Sequence, residues 1–499
     1  MRRRRISPAI RFGSDFMFIK FYGRRIFAAL TAVLFVLFFA ACAAADALPP
    51  ETVPAGETKA EADETGIVFQ NLNGYVFRVL VRNNSHHLKD VYAESENGDI
   101  LNDAVFIRNL TVEDKLNIKI AVIPVGDCDT ADLVNALRSS VKAGTDDYDL
   151  ALGHTHHIGA YAAENELCNW LDITTADYEG AWWNKNVMSA ATVGGRLFFI
   201  MSDYVLDALD YTYTMVFNQR LFDDYNIQSP YLNVRDGTWT MDKLYGIIRG
   251  TAKDLNNDGK YTAEDFYGLV FEQNNVASIV SFMYAADQFV TEKDSEGIPR
   301  LCFNTPKMAD ITEKVYDIVY TGGQTFLQNP GNSQLAFRSG MTLMAACFVR
   351  DLMLLRDMED SYGLLPYPKY DEAQTAYYSH VGGHASLMCI PLTAYNNLDT
   401  IGTILDTMSA FTSQNVIPKY YEQVLQTKGL RDPESEQMLD MIIAGRMFDF
   451  AYFYNTNSGL ATLLSTMIAA KKNNFSSEYA KLEGKTIEYF DKVIMSLTK

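Results

Sequence analysis

Basic residues are scarce in this chain. Across 499 residues, 43 Lys and Arg face 62 Asp and Glu, a formal charge of −19. That balance argues against a nucleic-acid partner, which needs a clustered positive footprint. Cysteine is equally sparse: Cys42, Cys128, Cys168, Cys302, Cys347 and Cys389, with no C-x-x-C pair among them. The five beyond residue 42 are odd in number, so they read as small buried hydrophobes and not as a disulfide framework or a zinc site. Catalytic signatures are missing as well. The chain has no Walker loop, no G-x-S-x-G and no H-E-x-x-H, and Gly382-Gly383 is too short to cradle a phosphate. No internal repeat is present.

What the chain does have is apolar bulk. Apolar residues make up 48%, with 29 Tyr and 29 Phe, enough to bury a large core in two or three packing units. The charge is unevenly spread. Residues 1–41 carry eight Lys and Arg and one acid, which leaves 35 basic against 61 acidic residues, or −26, in the remainder. So acidic a body is repelled by an anionic membrane surface, and any attachment there has to be covalent. The N-terminus supplies one. Arg24-Arg25 precede the apolar run 26–41, shorter than the roughly 20 residues a spanning helix needs, and Ala40-Ala41-Cys42 follows. This is a secretory signal (1–41) whose end resembles a bacterial lipobox, with Phe39 where an aliphatic residue is usual, and it marks Cys42 for lipidation. Residues 42–72 are rich in Ala, Pro, Thr and Glu and read as a disordered tether.

Beyond the tether the pattern is α/β. The runs 75–81, 116–122 and 148–152 read as strands, and 130–142 as a helix with Leu133, Leu137 and Val141 on one face. Strand character returns at 195–200, 211–218 and before 348. Helical character covers 219–225, 241–255, 310–321, 400–412 and 434–443. Alternating strands and helices imply a mostly parallel sheet, with ligands beyond the strands' carboxyl ends.

One local motif is sharp. In 254–265, Asp254, Asn256 and Asp258 occupy positions 1, 3 and 5 of an EF-hand-like loop. Gly259 makes the turn, the Lys260 carbonyl falls at position 7, Thr262 at 9 and Asp265 at 12. Hard oxygens at this spacing point to a structural Ca²⁺, with Asp265 shorter than the usual Glu; the alternative is an Asx-rich turn that binds only water.

Several segments carry a resemblance. Gly194-Gly195-Arg196-Leu197-Phe198-Phe199, then Phe217-Asn218-Gln219-Arg220-Leu221-Phe222 through Tyr225, then Gly237-Thr238-Trp239 fall in order. Phe337-Arg338-Ser339-Gly340-Met341 and Gly363-Leu364-Leu365-Pro366-Tyr367-Pro368-Lys369 follow. Together they resemble the family 1 extracellular solute-binding proteins, the substrate-binding lipoproteins of ABC importers that include the maltose-binding type. Gln219 and Asn226 depart from the family's usual Lys and Gly. The resemblance implies an α/β, periplasmic-binding-protein-like fold of two lobes joined by hinge crossing strands. It assigns 73–212 plus 344–412 to lobe 1, and 213–343 plus 413–499 to lobe 2. It implies a monomeric, non-enzymatic binder of a small polar solute, of the carbohydrate class, serving ABC permease subunits at the outer face of the cell membrane.

In that fold the seven histidines gather near one cleft. His86-His87 follow the first strand, His154, His156 and His157 follow the third, and His380 and His384 bracket Val381-Gly382-Gly383. Imidazoles there read as polar ligand contacts; the alternative is a metal or metal-chelate site. The expected ligand-binding set is Asn83, His86, His154, His156, Trp182, Trp183, Asp203, Tyr204, Arg350 and His384. One of the two adjacent Trp is expected to be core. A cell-surface glycan hydrolase is the competing function class, because carboxylate pairs are recognised by separation in space and not along the chain.

Overall fold

The run YVFRVLVR buries Phe77, Val79, Leu80 and Val81 completely, and a strand covered on both faces has to lie between neighbours. In the computed structural model, which describes residues 69–126, 130–272, 276–328, 333–426, 430 and 432–499, it does so. The signal segment, Cys42 and the tether as far as residue 68 lie outside the described residues. Strand β1 (Tyr75–Arg82) pairs in parallel with β2 (Ile118–Val125) on one side and β3 (Leu150–His154) on the other. Helix α1 (Ser85–Val91) follows β1 and helix α2 (Ile100–Leu116) precedes β2. Helix α3 (Asp132–Ala143) leads to β3, and helix α4 (Thr155–Ala162) starts directly at its end. Asn84 and Asp99 cap α1 and α2, accepting backbone N–H groups that the helix itself leaves unpaired.

Helix α5 (Lys185–Ala191) and the short helix α6 (Asp207–Asp210) carry the chain to the second sheet. That sheet contains β4 (Tyr213–Asn218), β5 (Tyr267–Glu272), β6 (Thr325–Gln328), β7 (Thr342–Phe348) and β8 (Tyr362–Leu365), in the order β8-β4-β7-β5-β6. β5, β6 and β7 run parallel, and β4 alone is reversed, antiparallel to both β7 and β8. Strand β9 (Ser386–Cys389) returns to the first sheet antiparallel to β3. Helix α7 (Leu398–Phe411) packs on α2, and helix α8 (Phe450–Phe453) packs on α4. Gly159 permits the second contact: a Cβ there would stand 2.2 Å from the Phe453 carbonyl oxygen.

The two mixed sheets form two lobes. The chain passes from the first to the second between α6 and β4 and returns after β8. Strands β7 and β8 therefore belong to the second sheet, although the expected lobe-1 segment began at 344. The expected tether ran to 72, yet Phe69 already lies against Phe411, with ring centroids 6.1 Å apart, and the Leu72 amide donates to the Leu116 carbonyl. The expected strand 116–122 begins two residues later, because Leu116 closes α2 and Asn117 turns left-handed at φ 49°. The helix expected over 241–255 stops at Ile248, ahead of Gly250 at φ 71°. Residues 195–200 hold position through isolated bridges (Val193 to Arg196, Ile200 to Met388) in place of a ladder. Between the lobes, the hairpin of Thr291–Lys293 and Pro299–Leu301 reaches α5, where the Lys293 ammonium donates to the Ser189 and Thr192 carbonyls.

Candidate functional site

Register decides which side chains meet. Val81 pairs with Leu152 and Ser386 lies opposite His154, so the chain just past β1, the end of β3 and the residues before β9 converge on one rim. His154 ends β3 and caps α4: its Nδ1 accepts the His156 amide at 3.2 Å. A nitrogen that accepts carries no proton, so the proton of the neutral ring sits on Nε2. His156 takes the other tautomer, because its Nδ1–H donates to the Tyr452 carbonyl at 2.8 Å. The His154 ring lies 5.3 Å from His156, 4.9 Å from His157 and 5.3 Å from His384. Burial is the main cause that lowers the pKa of His156, to about 4; a neighbouring imidazolium would lower it further, and the Tyr452 carbonyl opposes the shift. Burial lowers His154 as well. Both are neutral at physiological pH.

Beneath the rim lies a buried charged network. Asp207 accepts from His87 Nδ1–H at 3.1 Å and from the Ser386 amide at 3.0 Å, with the Arg82 guanidinium 3.6 Å away. Arg82 donates to the His384 carbonyl and to Ser386 Oγ, each at 2.7 Å. Burial alone would raise the Asp207 pKa, but His87 and Arg82 hold it below the usual carboxylate range. One carboxylate on α6 thus ties together the ends of β1, α1 and β9. Asp210, on the same turn, accepts from Lys89 at 2.6 Å and from the Tyr420 hydroxyl at 2.9 Å.

An aromatic wall continues from the rim across the crossing segment. Tyr211 lies 5.8 Å from His87 and 5.6 Å from His384, and the Arg350 guanidinium lies over its ring at 4.4 Å. Phe348, at the end of β7, is 5.2 Å from the same guanidinium. Tyr452 stands 4.8 Å from His156 and 4.6 Å from His380, and its hydroxyl accepts the Gly383 amide at 3.0 Å. His380 stacks between Tyr213 and Tyr284, at 5.8 and 4.9 Å. Most of these rings are buried, His380, Tyr213 and Tyr284 to within 2% of completely, so they form a floor beneath the partly exposed His154, His156, His384 and Arg350.

Of the expected ligand set, the structure brings His154, His156, His384 and Arg350 together. His86 is exposed at the start of α1; burial and then Arg350 lower its pKa. Asn83 stands exposed in the turn after β1. The other four lie elsewhere. Trp182 and Trp183 both donate their indole N–H to Asp406 on α7 at 2.8 Å, and Trp183 is buried against Trp170 and Tyr178. Tyr204 is fully buried under the Arg108 guanidinium. Asp203 lines a separate cavity of about 200 Å³ with Trp183 and Arg446, and burial raises its pKa to about 6. That cavity shares Asn186, Ala444 and Arg446 with a larger one of about 490 Å³ beside the hairpin. Sequence reading missed Tyr211, Tyr452, Arg82 and Asp207. Only Tyr211 carried a signal, at the strand that crosses between lobes.

The loop 254–265 is drawn in on its own amides. Asp254 accepts the Gly259 amide at 2.8 Å, Asp258 accepts the Lys260 amide at 2.8 Å, and Asn256 Oδ1 accepts the Asp258 amide at 3.0 Å. The Asp265 carboxylate accepts the Leu255 and Thr262 amides at 2.9 and 2.7 Å, which lowers its pKa. Each accepting oxygen keeps a second lone pair for a hard cation. Gly259 has the left-handed φ of 77° that the sharp turn needs. Among the described residues, no three His, Cys, Asp or Glu side chains converge on one metal position, at this loop or at the histidine rim.

No protein-family model matches the chain, and no curated protein does. Solved structures do. A cyclo/maltodextrin-binding protein complexed with maltotetraose is 14% identical over 86% of this chain and 100% of its own, at TM-score 0.55. The cyclic α-maltosyl-1,6-maltose binding protein of Arthrobacter globiformis is 14% identical over 85% and 98%, at 0.53. An ABC substrate-binding protein of Listeria monocytogenes in complex with cycloalternan is 11% identical over 85% and 99%, at 0.52. The chain has the two-lobed fold of the ABC solute-binding proteins of the maltose-binding type.

Proposed function

We propose that this chain is an extracellular solute-binding protein, held to the membrane by a lipid on Cys42, that closes two lobes on a carbohydrate and delivers it to an ABC importer. One observation carries the reading. The carboxyl ends of β1 and β3, the start of β9 and the crossing segment meet in a continuous wall of histidine and tyrosine rings that spans both lobes. The fold supports it, because the similar structures named above were solved with oligosaccharides or are named for the saccharide they bind. The partly exposed imidazoles above this floor of rings exchange hydrogen bonds with the hydroxyls of a sugar. The site binds and releases without chemistry. A second proposal concerns the loop 254–265, where Ca²⁺ takes a structural role supported by the order of its oxygen donors and the turn at Gly259.

The test is a thermal-shift screen of the purified chain against mono- and oligosaccharides, peptides and divalent metals. A ligand that binds only the native state raises the melting temperature, by about 2.7 kcal/mol of stabilisation at a hundredfold excess over Kd. We expect saccharides to produce that shift. A shift with zinc or peptides and none with any saccharide overturns the reading.

A further inference from the structure

One guanidinium on the rim has hydrogen-bond donors to spare. Arg350 is three-quarters covered, with its guanidinium carbon 4.4 Å from the Tyr211 ring centroid and 5.2 Å from that of Phe348. Its nearest anion is Asp351, an oxygen of which stands 3.5 Å from Nε, with Asp210 acting from farther off, and among the described residues no hydrogen bond engages its two terminal nitrogens. The nearby carboxylates are committed. Asp207 serves His87, Arg82 and the Ser386 amide, Asp210 serves Lys89 and Tyr420, and Asp351 accepts the Phe348 amide at 3.0 Å. His154 adds a donor through Nε2–H, and His156, whose Nδ1–H donates to the Tyr452 carbonyl, has its lone pair at Nε2. A neutral sugar hydroxyl brings a proton that needs an acceptor. At Arg350 the described residues instead leave guanidinium N–H donors without an acceptor.

We propose that the solute is an acidic saccharide, a uronate-bearing sugar whose carboxylate is gripped by the Arg350 guanidinium. The inference rests on the solute-binding reading above and specifies the solute class. A planar guanidinium fork matches a planar carboxylate with two parallel N–H···O bonds, which a hydroxyl cannot accept. Tyr211 and Phe348 hold the fork in place, so little side-chain freedom is lost on binding.

The test is calorimetry of the full chain with trigalacturonate and with galactotriose, its neutral counterpart. We expect trigalacturonate to bind at least tenfold more tightly, and the margin to shrink as salt rises from about 0.05 to about 0.5 M. Arg350→Met keeps the aliphatic stem over the rings and should bring the ratio of the two affinities close to one. Arg350→Lys should restore part of it. The unliganded melting temperature of each variant reports whether it folds. If galactotriose binds as well as or better than trigalacturonate, or if Arg350→Met leaves the ratio unchanged, the acidic-solute inference is overturned and the solute-binding reading stands. If neither trisaccharide binds, nor any saccharide in the wider screen, that reading falls and this inference falls with it.

Discussion

Gly159 sits on a helix face with no room for a methyl group, because the Phe453 backbone carbonyl occupies the position a Cβ would take. Gly159→Ala should push α4 off α8 and destabilise the protein by about 1–3 kcal/mol, measurable as a lower midpoint in urea. The shift should also reach ligand affinity, since α4 carries His156 and α8 carries Tyr452. Protonation works through the same residues. His156 titrates near 4 in the native state and near 6.5 when unfolded, so below about 6.5 the unfolded chain binds the extra proton. Its contribution is complete above that pH and fades as pH falls toward 4, by at most about 1.4 kcal/mol per pH unit. Asp203, raised to about 6, acts in the opposite sense, favouring the fold as pH drops below that value. Comparing wild type with His156→Phe across pH 4–8 isolates the imidazole: the variant's stability should fall less steeply with acid.

At the scale of elements, periodicity revealed strands and amphipathic helices but not the elements whose polar residues are buried. Helix α2 went unread because Arg108, fully buried, interrupts its apolar face. The guanidinium donates to the Asp90 and Tyr204 carbonyls and to Thr412 Oγ1, partners from three distant segments. No local pattern records such partners. The same limit applied to the site. The histidines were legible because they follow strands in a fold whose clefts lie at strand ends. Trp182 and Trp183 instead answer to Asp406, more than 200 positions away in sequence. The EF-hand-like loop is a separate local element, closed by the bridge between Lys253 and Phe266. Chelation with EGTA should lower the melting temperature and added Ca²⁺ should restore it; a melting curve indifferent to both would assign the loop to its own hydrogen bonds.

For the whole molecule, charge and attachment belong together. A body of −26 does not settle on an anionic bilayer by itself, so retention at the membrane depends on the lipid expected at Cys42. Cys42→Ala should move the protein from the membrane pellet to the medium without changing its affinity for solute. Retention of the variant in the pellet would show that another anchor exists.

The hairpin contact between the lobes has a consequence for timing. Lys293 is half buried, its ammonium donates to two main-chain oxygens, and among the described residues no acid forms an ion pair with it; burial lowers its pKa. Separating hairpin from helix requires that ammonium to let go of both oxygens together and regain water. Such a catch either holds or releases, and the lobes should exchange positions in discrete events instead of drifting. The lifetime of a captured solute would then be set partly by how often that one ammonium lets go.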